Sequence, residues 1–279
     1  MKFTQLSDSY ILSNGVKIPC IGLGTWQMPE GEETEAAVCN GIQLGYRHID
    51  TAQAYGNEES VGKGVKRSNV KREELFITSK LTNTCRGYEN TKIAIEESLS
   101  KLKMDYLDLL LIHWPNPAAY RENWKEMNGE SYRAMEEFYR AGKLRAIGIS
   151  NFRPHHIDAL MEAASIVPMV NQIRLCPGDI HQETLHYCNE KNILLEAYSP
   201  LGTGKALEVK ELQDIGKKYG KSPAQICIRW SLQMGFLPLP KTLNSGRMKE
   251  NGDVFDFVLT DEEVGLLANI TGKCGVSAD

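Results

Sequence analysis

Eight short apolar, β-rich runs recur along this chain with amphipathic stretches between them, and no other feature restricts its fold so strongly. The runs are "PCIGLG" (19–24), "RHIDT" (47–51), "LFITSK" (75–80), "LDLLLIH" (107–113), "LRAIGIS" (144–150), "MVNQI" (169–173), "ILLEAYS" (193–199) and "GFLPLP" (235–240). Near-continuous apolar strands separated by helices such as "ETEAAVCNGIQLG" and "NTKIAIEESLSKLK" are the pattern of parallel strands joined by right-handed crossovers. Strands buried on both faces need helices closing a ring around them, so the pattern predicts an α/β fold, a (β/α)8 TIM barrel forming one domain over residues 1–279. The opening "YILSNGVKIP" places Asn14-Gly15 between two apolar runs and predicts a β-hairpin closing the bottom of the barrel. A doubly wound open sheet is the competing architecture, but "GLGTWQ" lacks the third glycine of its dinucleotide turn. "LGTGK" at 201–205 likewise misses the phosphate-loop spacing.

Composition narrows the function classes. A formal net charge of −4 gives no global attraction for nucleic acid or an anionic membrane, so any anion site must be local. The start lacks the apolar core of a secretory signal, and no window is apolar enough to span a bilayer; a cytoplasmic protein is expected. The seven cysteines form no C-x-x-C pair and read as reduced, mostly buried thiols. The sequon "NIT" at Asn269 would matter only in a secreted chain. No His, Cys or acidic residues fall at metal-ligand spacing, so no metal is expected.

Barrel chemistry belongs where strands end and βα loops begin. Those positions supply Asp50 after the second run, Tyr55 in the following loop, Lys80 at the end of the third and His113 at the end of the fourth. Each alone has an ordinary reading: a cap, a half-buried aromatic, a paired cation, a core histidine. Together they suit proton transfer to a carbonyl oxygen. A charged Lys80 favours the Tyr55 phenolate and lowers its pKa, Asp50 holds Lys80 charged, and His113 donates to the substrate oxygen. His48, His155, His156, His181 and His186 read as structural. After the last run, "KTLNSGRMKEN" offers a short helix capped by Asn244 or Ser245 with Lys241 and Arg247 adding charge, a candidate phosphate site.

The runs "GLGTWQ", "YRHIDTAQAYGNEESVG", "LFITSKL", "LDLLLIHWP", "IGISNF", "NQ" at 171–172, "AYSPLG" and "LPKTLNSGRMKEN", in that order, resemble the aldo-keto reductase superfamily over most of the chain, especially its microbial 2,5-diketogluconate reductase and prostaglandin F synthase-like members. The resemblance implies NADPH-dependent reduction of aldehydes or ketones, with Asp50, Tyr55, Lys80 and His113 as the tetrad and Tyr55 as the acid. It implies a nicotinamide site of Thr25, Trp26, Asp50, Ser150, Asn151 and Gln172, with Tyr198 stacked on the ring. Ser199, Leu201 and Thr203 would hold the pyrophosphate, and Lys241, Thr242, Asn244, Arg247, Glu250 and Asn251 the adenosine 2′-phosphate and adenine. An arginine at that end favours NADPH/NADP+ over NADH. Trp26, Tyr55, His113 and Trp114 would line the mouth for a small carbonyl substrate, acted on by a monomer.

One stretch departs from the family's N-Q-x-E-x-H-P: here "NQIRLCP" puts Arg174 and Cys176 where an acid and a histidine are usual. Only 28 residues follow Asn251, which points to an open pocket and broad carbonyl tolerance. Two other functions compete: an aldolase forming a Schiff base on a barrel lysine, and an NADPH-binding sensor that scarcely turns over.

Overall fold

A computed structural model describes residues 3–270 and Cys274. The first apolar segments form an antiparallel hairpin, β1 (Ser9–Ile11) and β2 (Lys17–Pro19). Each of the eight runs then contributes one parallel strand: β3 (Gly22–Gly24), β4 (His48–Asp50), β5 (Phe76–Leu81), β6 (Leu109–Ile112), β7 (Ile147–Ser150), β8 (Val170–Arg174), β9 (Leu194–Tyr198) and β10 (Leu237–Leu239). They pair in chain order from β3 to β10. The ring closes where β3 meets β10, through the Gly24 N–H donating to the Pro240 carbonyl at 3.1 Å. Close approach at this seam requires glycine, because a Cβ on Gly22 would lie 2.5 Å from the Leu239 side chain and 2.7 Å from the buried His48 ring. The architecture is the expected (β/α)8 barrel.

Helices α1 (Glu32–Gln43), α2 (Glu58–Arg67), α3 (Tyr88–Leu102), α4 (Trp124–Arg140), α5 (Pro154–Met161) and α6 (Gln182–Glu190) cover the outside, followed by α7 (Lys210–Tyr219), α8 (Pro223–Gln233), α9 (Ser245–Gly252) and α10 (Asp261–Ala268). The hydroxyls of Ser222 and Thr260 cap α8 and α10, and the Asn244 side chain caps α9. The described helices include none long and apolar enough to cross a membrane. Thr271 of the sequon lies outside the described residues.

Several strands are shorter than the apolar runs suggest, and the fourth shows why. Asp108 interrupts it: its carboxylate accepts from the Ile77 backbone N–H at 2.9 Å and pairs with Arg72 at 2.7 Å and Arg145 at 2.6 Å. A side chain thus takes over a bond that the strand ladder would otherwise supply, leaving Leu107 in an isolated bridge to Leu144.

The hairpin sits at the end of the barrel where the strands begin. Gly15 takes the left-handed turn conformation (φ +84°). Tyr10 donates from its buried hydroxyl to the carbonyl of Phe236, next before β10, at 2.9 Å, and Asn14 donates to the carbonyl of Arg145, ahead of β7, at 2.9 Å. Tyr10→Phe leaves that buried carbonyl without its donor, so a loss of about 1 kcal/mol is expected in urea unfolding; an unchanged midpoint would show that the hairpin anchor contributes nothing.

Candidate active site

Every barrel strand turns into its βα loop at the end opposite the hairpin, and the polar residues named from sequence collect there. Asp50 ends β4, Lys80 lies one residue from the end of β5, and His113 directly follows β6. Lys80 is fully buried. Its three N–H donors are all used: on Asp50 Oδ1 at 2.6 Å, the Thr51 carbonyl at 2.9 Å and the Tyr55 hydroxyl at 3.3 Å. Burial works to lower its pKa, but Asp50 and then Tyr55 outweigh it and the net shift is upward, so Lys80 is held as a cation. A Schiff-base lysine needs the reverse, an amine with a depressed pKa and a free lone pair, so this environment disfavours the aldolase reading.

Tyr55 closes a short 3-10 turn, Gln53–Tyr55, whose position is set by two amide side chains. Gln53 donates to the Ala94 carbonyl and Ser98 hydroxyl and accepts from the Thr82 N–H. Asn57 stands at the N-cap position of α2 but its side chain makes no capping bond; it is buried, accepting from the Thr51 hydroxyl and donating to the carbonyls of Thr25 and Met28. The pKa of Tyr55 runs against the sequence expectation. Lys80 does pull it down, but burial of the phenol is the larger effect and the net shift is upward. The hydroxyl therefore keeps its proton until something else demands it.

His113 packs edge-on against Tyr55, ring centroids 5.8 Å apart. Burial, then the charges of Lys80 and Arg86, depress its pKa to about 3, so the ring is neutral and carries one N–H donor. Its buried Nδ1 has no hydrogen-bond partner among the described residues. Trp26 and Trp114, which follow β3 and β6 at this rim, are 47% and 44% exposed, enough to present apolar surface to a small molecule.

Deeper in the barrel lies a group that the sequence shows only as part of an apolar strand. Glu196, mid-β9, is fully buried and accepts from Gln172 Nε2 at 2.8 Å; the same nitrogen donates to Asp50 Oδ2 at 2.8 Å. Burial, then the nearby Asp50 charge, raises the Glu196 pKa to about 8, against smaller opposing effects of Gln172 and Lys80. His48, 3.9 Å away, cannot neutralise it, since burial and Lys80 push that imidazole down to about 3. A charged residue inside "ILLEAYS" was the signal available in the sequence.

The expected nicotinamide residues form one connected patch. Ser150 donates to the Gln172 carbonyl at 2.8 Å, Asn151 Nδ2 donates to the His113 carbonyl and Ser150 hydroxyl, and Tyr198 donates to Asn151 Oδ1 at 2.8 Å. Thr25 is bound twice to the Asp50 carbonyl. With their amide hydrogens committed, Asn151 and Gln172 retain carbonyl lone pairs, and a carboxamide NH2 group is the complementary donor. The residues present therefore fit a nicotinamide. At this rim Asn151, Ser199 and Thr203 hold positive φ (64°, 50° and 55°), local strain of about 1–3 kcal/mol each. Leu201 opens the same loop, its carbonyl accepting from Gly204.

At the far end, Asn244 Oδ1 accepts from the Arg247 N–H, and the exposed Lys241 and Arg247 make no ion pair among the described residues. Thr242 and Asn251 are buried, and Glu250 accepts from the Ser222 hydroxyl, so part of its carboxylate already serves the cap of α8. The departure at Arg174 and Cys176 also has a physical account. Arg174 pairs with Asp179 at 3.2 Å and donates to the Cys274 carbonyl at 3.2 Å, while Cys176 is a buried free thiol hydrogen-bonded to that of Cys274. The described residues contain no cluster suited to holding a metal.

With this geometry in view, the relatives are informative. The description "Aldo/keto reductase family" matches residues 20–271. A glyoxal reductase of Bacillus subtilis (strain 168) is 47% identical over 261 residues, covering 94% of this chain and 92% of its own. A methylglyoxal reductase of Escherichia coli (strain K12) is 42% identical over 264 residues, covering 93% and 92%. The crystal structure of a Bombyx mori aldo-keto reductase in complex with NADP superposes with a TM-score of 0.88 at 34% identity, over 97% of this chain and 94% of that one.

Two outcomes follow from the buried charges. Lys80→Met strands Asp50 in the core, and a loss of about 3–5 kcal/mol is expected in chemical unfolding; a loss below about 1 kcal/mol would mean the pair is not as dry as drawn. Glu196 has a folded pKa near 8 against 4.5 unfolded. Its favourable contribution is full below about pH 4.5 and is lost as pH rises to about 8, because the unfolded chain ionises first. The stability gain of Glu196→Gln over wild type should therefore grow across that window, and a constant gap would contradict the assignment.

Proposed function

Because the chain belongs to the aldo/keto reductase family, we propose that it reduces small aldehydes and α-dicarbonyl compounds with NADPH, Tyr55 giving the proton. The observation that carries this reading is Lys80, locked as a cation between Asp50 at 2.6 Å and the Tyr55 hydroxyl at 3.3 Å. The bound nicotinamide would supply the hydride, since no side chain can. The substrate oxygen would accept from Tyr55 Oη and from the neutral His113 ring, which would polarise the carbonyl without adding a charge. As negative charge develops on that oxygen, Tyr55 passes its proton across. The phenolate left behind is stabilised by Lys80, and Asp50 keeps that lysine charged throughout the cycle. Burial holds the proton on Tyr55 at rest, and Lys80 lets it leave.

Glyoxal and methylglyoxal are the first substrates to try, because the named relatives are reductases of those compounds. Lys241 and Arg247, exposed beside the capped α9 and without an ion pair among the described residues, support NADPH over NADH. NADPH oxidation with either dicarbonyl should fall about 10²–10⁴-fold in Tyr55→Phe. Equal rates for variant and wild type would sink the mechanism. Turnover that stays undetectable while NADPH binds tightly would favour a sensor, and borohydride trapping of substrate on Lys80 an aldolase. Arg247→Ala should raise the KM for NADPH about tenfold and leave that for NADH unchanged; a parallel rise in both would refute the 2′-phosphate assignment.

A further inference from the structure

The barrel core holds one acid more than the proposed proton transfer uses. Glu196 faces Asp50 and His48 from β4, Lys80 from β5 and Gln172 from β8, while β10 on its other side brings only Leu237, Pro238 and Leu239. We infer that Glu196 is a positioning residue: a neutral carboxylic acid that dictates which atom of Gln172 meets the cofactor, and whose ionisation tilts the site toward the oxidised nicotinamide. This rests on the reading that Gln172 touches the cofactor carboxamide.

The first half follows from counting hydrogens. Gln172 Nε2 has two, and each is taken by a carboxyl oxygen at 2.8 Å, Asp50 Oδ2 on one side and Glu196 Oε2 on the other. Turning the amide over would set its carbonyl oxygen against the Asp50 carboxylate, and Glu196 would have to swing its own O–H inward to meet it, so Oε1 is the atom left for a ligand. With Asp50 alone, one hydrogen would be released and the orientation would loosen.

The second half follows from counting charges. Lys80 is the one ammonium in the cluster and its closest contact is Asp50, at 2.6 Å. His48 is neutral, and its Nε2 faces the Thr78 hydroxyl at 2.9 Å. A second carboxylate has no counter-ion, so the acid form persists until about pH 8. Glu196 Oε2 is occupied as an acceptor and Oε1 has no hydrogen-bond partner among the described residues, which leaves Oε1 as the oxygen free to carry the proton. Losing it adds a negative charge one amide group from the ligand. That charge favours a cationic, oxidised ring over a neutral, reduced one.

The test titrates ligand-free full-length protein with NADP+ and with NADPH, by fluorescence quenching, on both sides of pH 8, for wild type, Glu196→Gln and Glu196→Leu. In wild type the ratio of the two Kd values should swing toward NADP+ by about five- to tenfold as pH rises through the transition. Glu196→Gln still accepts from Gln172 and should bind both forms with a flat ratio. Glu196→Leu frees a buried amide hydrogen and should weaken both by about tenfold. A ratio that swings equally in wild type and Glu196→Gln, or a Leu variant that binds like wild type, overturns the inference. Wild type that binds neither cofactor overturns instead the functional reading beneath it. Infrared spectra of the ligand-free protein supply an arm independent of cofactor and of whether the Leu variant folds. A protonated carboxyl band should be present below the transition, vanish above it, and be missing from Glu196→Gln; its absence from wild type rejects a neutral Glu196.

Discussion

The buried contact between Lys80 and Asp50 is the interaction on which the rest of the site depends. An ammonium placed in a barrel core costs several kcal/mol unless a carboxylate meets it, and here the two lie 2.6 Å apart with neither reaching solvent to any extent. Once that pair exists, it sets the state of its neighbours. Two imidazoles are pushed to stay neutral, a phenol feels a cation 3.3 Å away, and a second carboxyl finds no charge left to balance it. The cluster reaches neutrality with one cation and one anion, and every other titratable group is obliged to remain uncharged near pH 7.

Precision comes from the strands and from buried amides. Lys80 and Gln172 lie within strands and Asp50 ends one, so their backbones are tied into the parallel ladder, and His113 follows directly on β6. Tyr55 alone is carried by a turn, and that turn is fastened by Gln53 to α3 and bracketed by Asn57. Asn151, Ser199 and Thr203 hold positive φ at the same rim, where a rigid scaffold can sustain strain that an isolated loop would relieve.

What was legible in the sequence followed from local periodicity. All eight barrel strands were visible as apolar runs, and Asp50, Lys80 and His113 were visible because strand ends are countable. Features set by partners distant in sequence were not. Nothing local shows that Asp108 will break its strand by reaching Ile77, Arg72 and Arg145. Asn57 sits where a cap belongs and does another job. The direction of the Tyr55 shift is opposite to the one the sequence suggests, because a residue list shows the neighbouring cation but hides the depth of burial that opposes it. The partners of Arg174, Asp179 and Cys274, come from a later loop and from a position 100 residues on, so local sequence does not show what balances its charge.

The seam between β3 and β10 has a consequence for how this molecule is made. The strand that begins the ring is the first synthesised and the one that completes it is the last, so for most of translation β3 has an unpaired edge. An open strand edge invites pairing with other chains. The β3 edge is three residues long, two of them glycine, and it offers a stray strand little side-chain surface to grip. The glycines that let the barrel shut against Leu239 thus also make its waiting edge a poor template for aggregation.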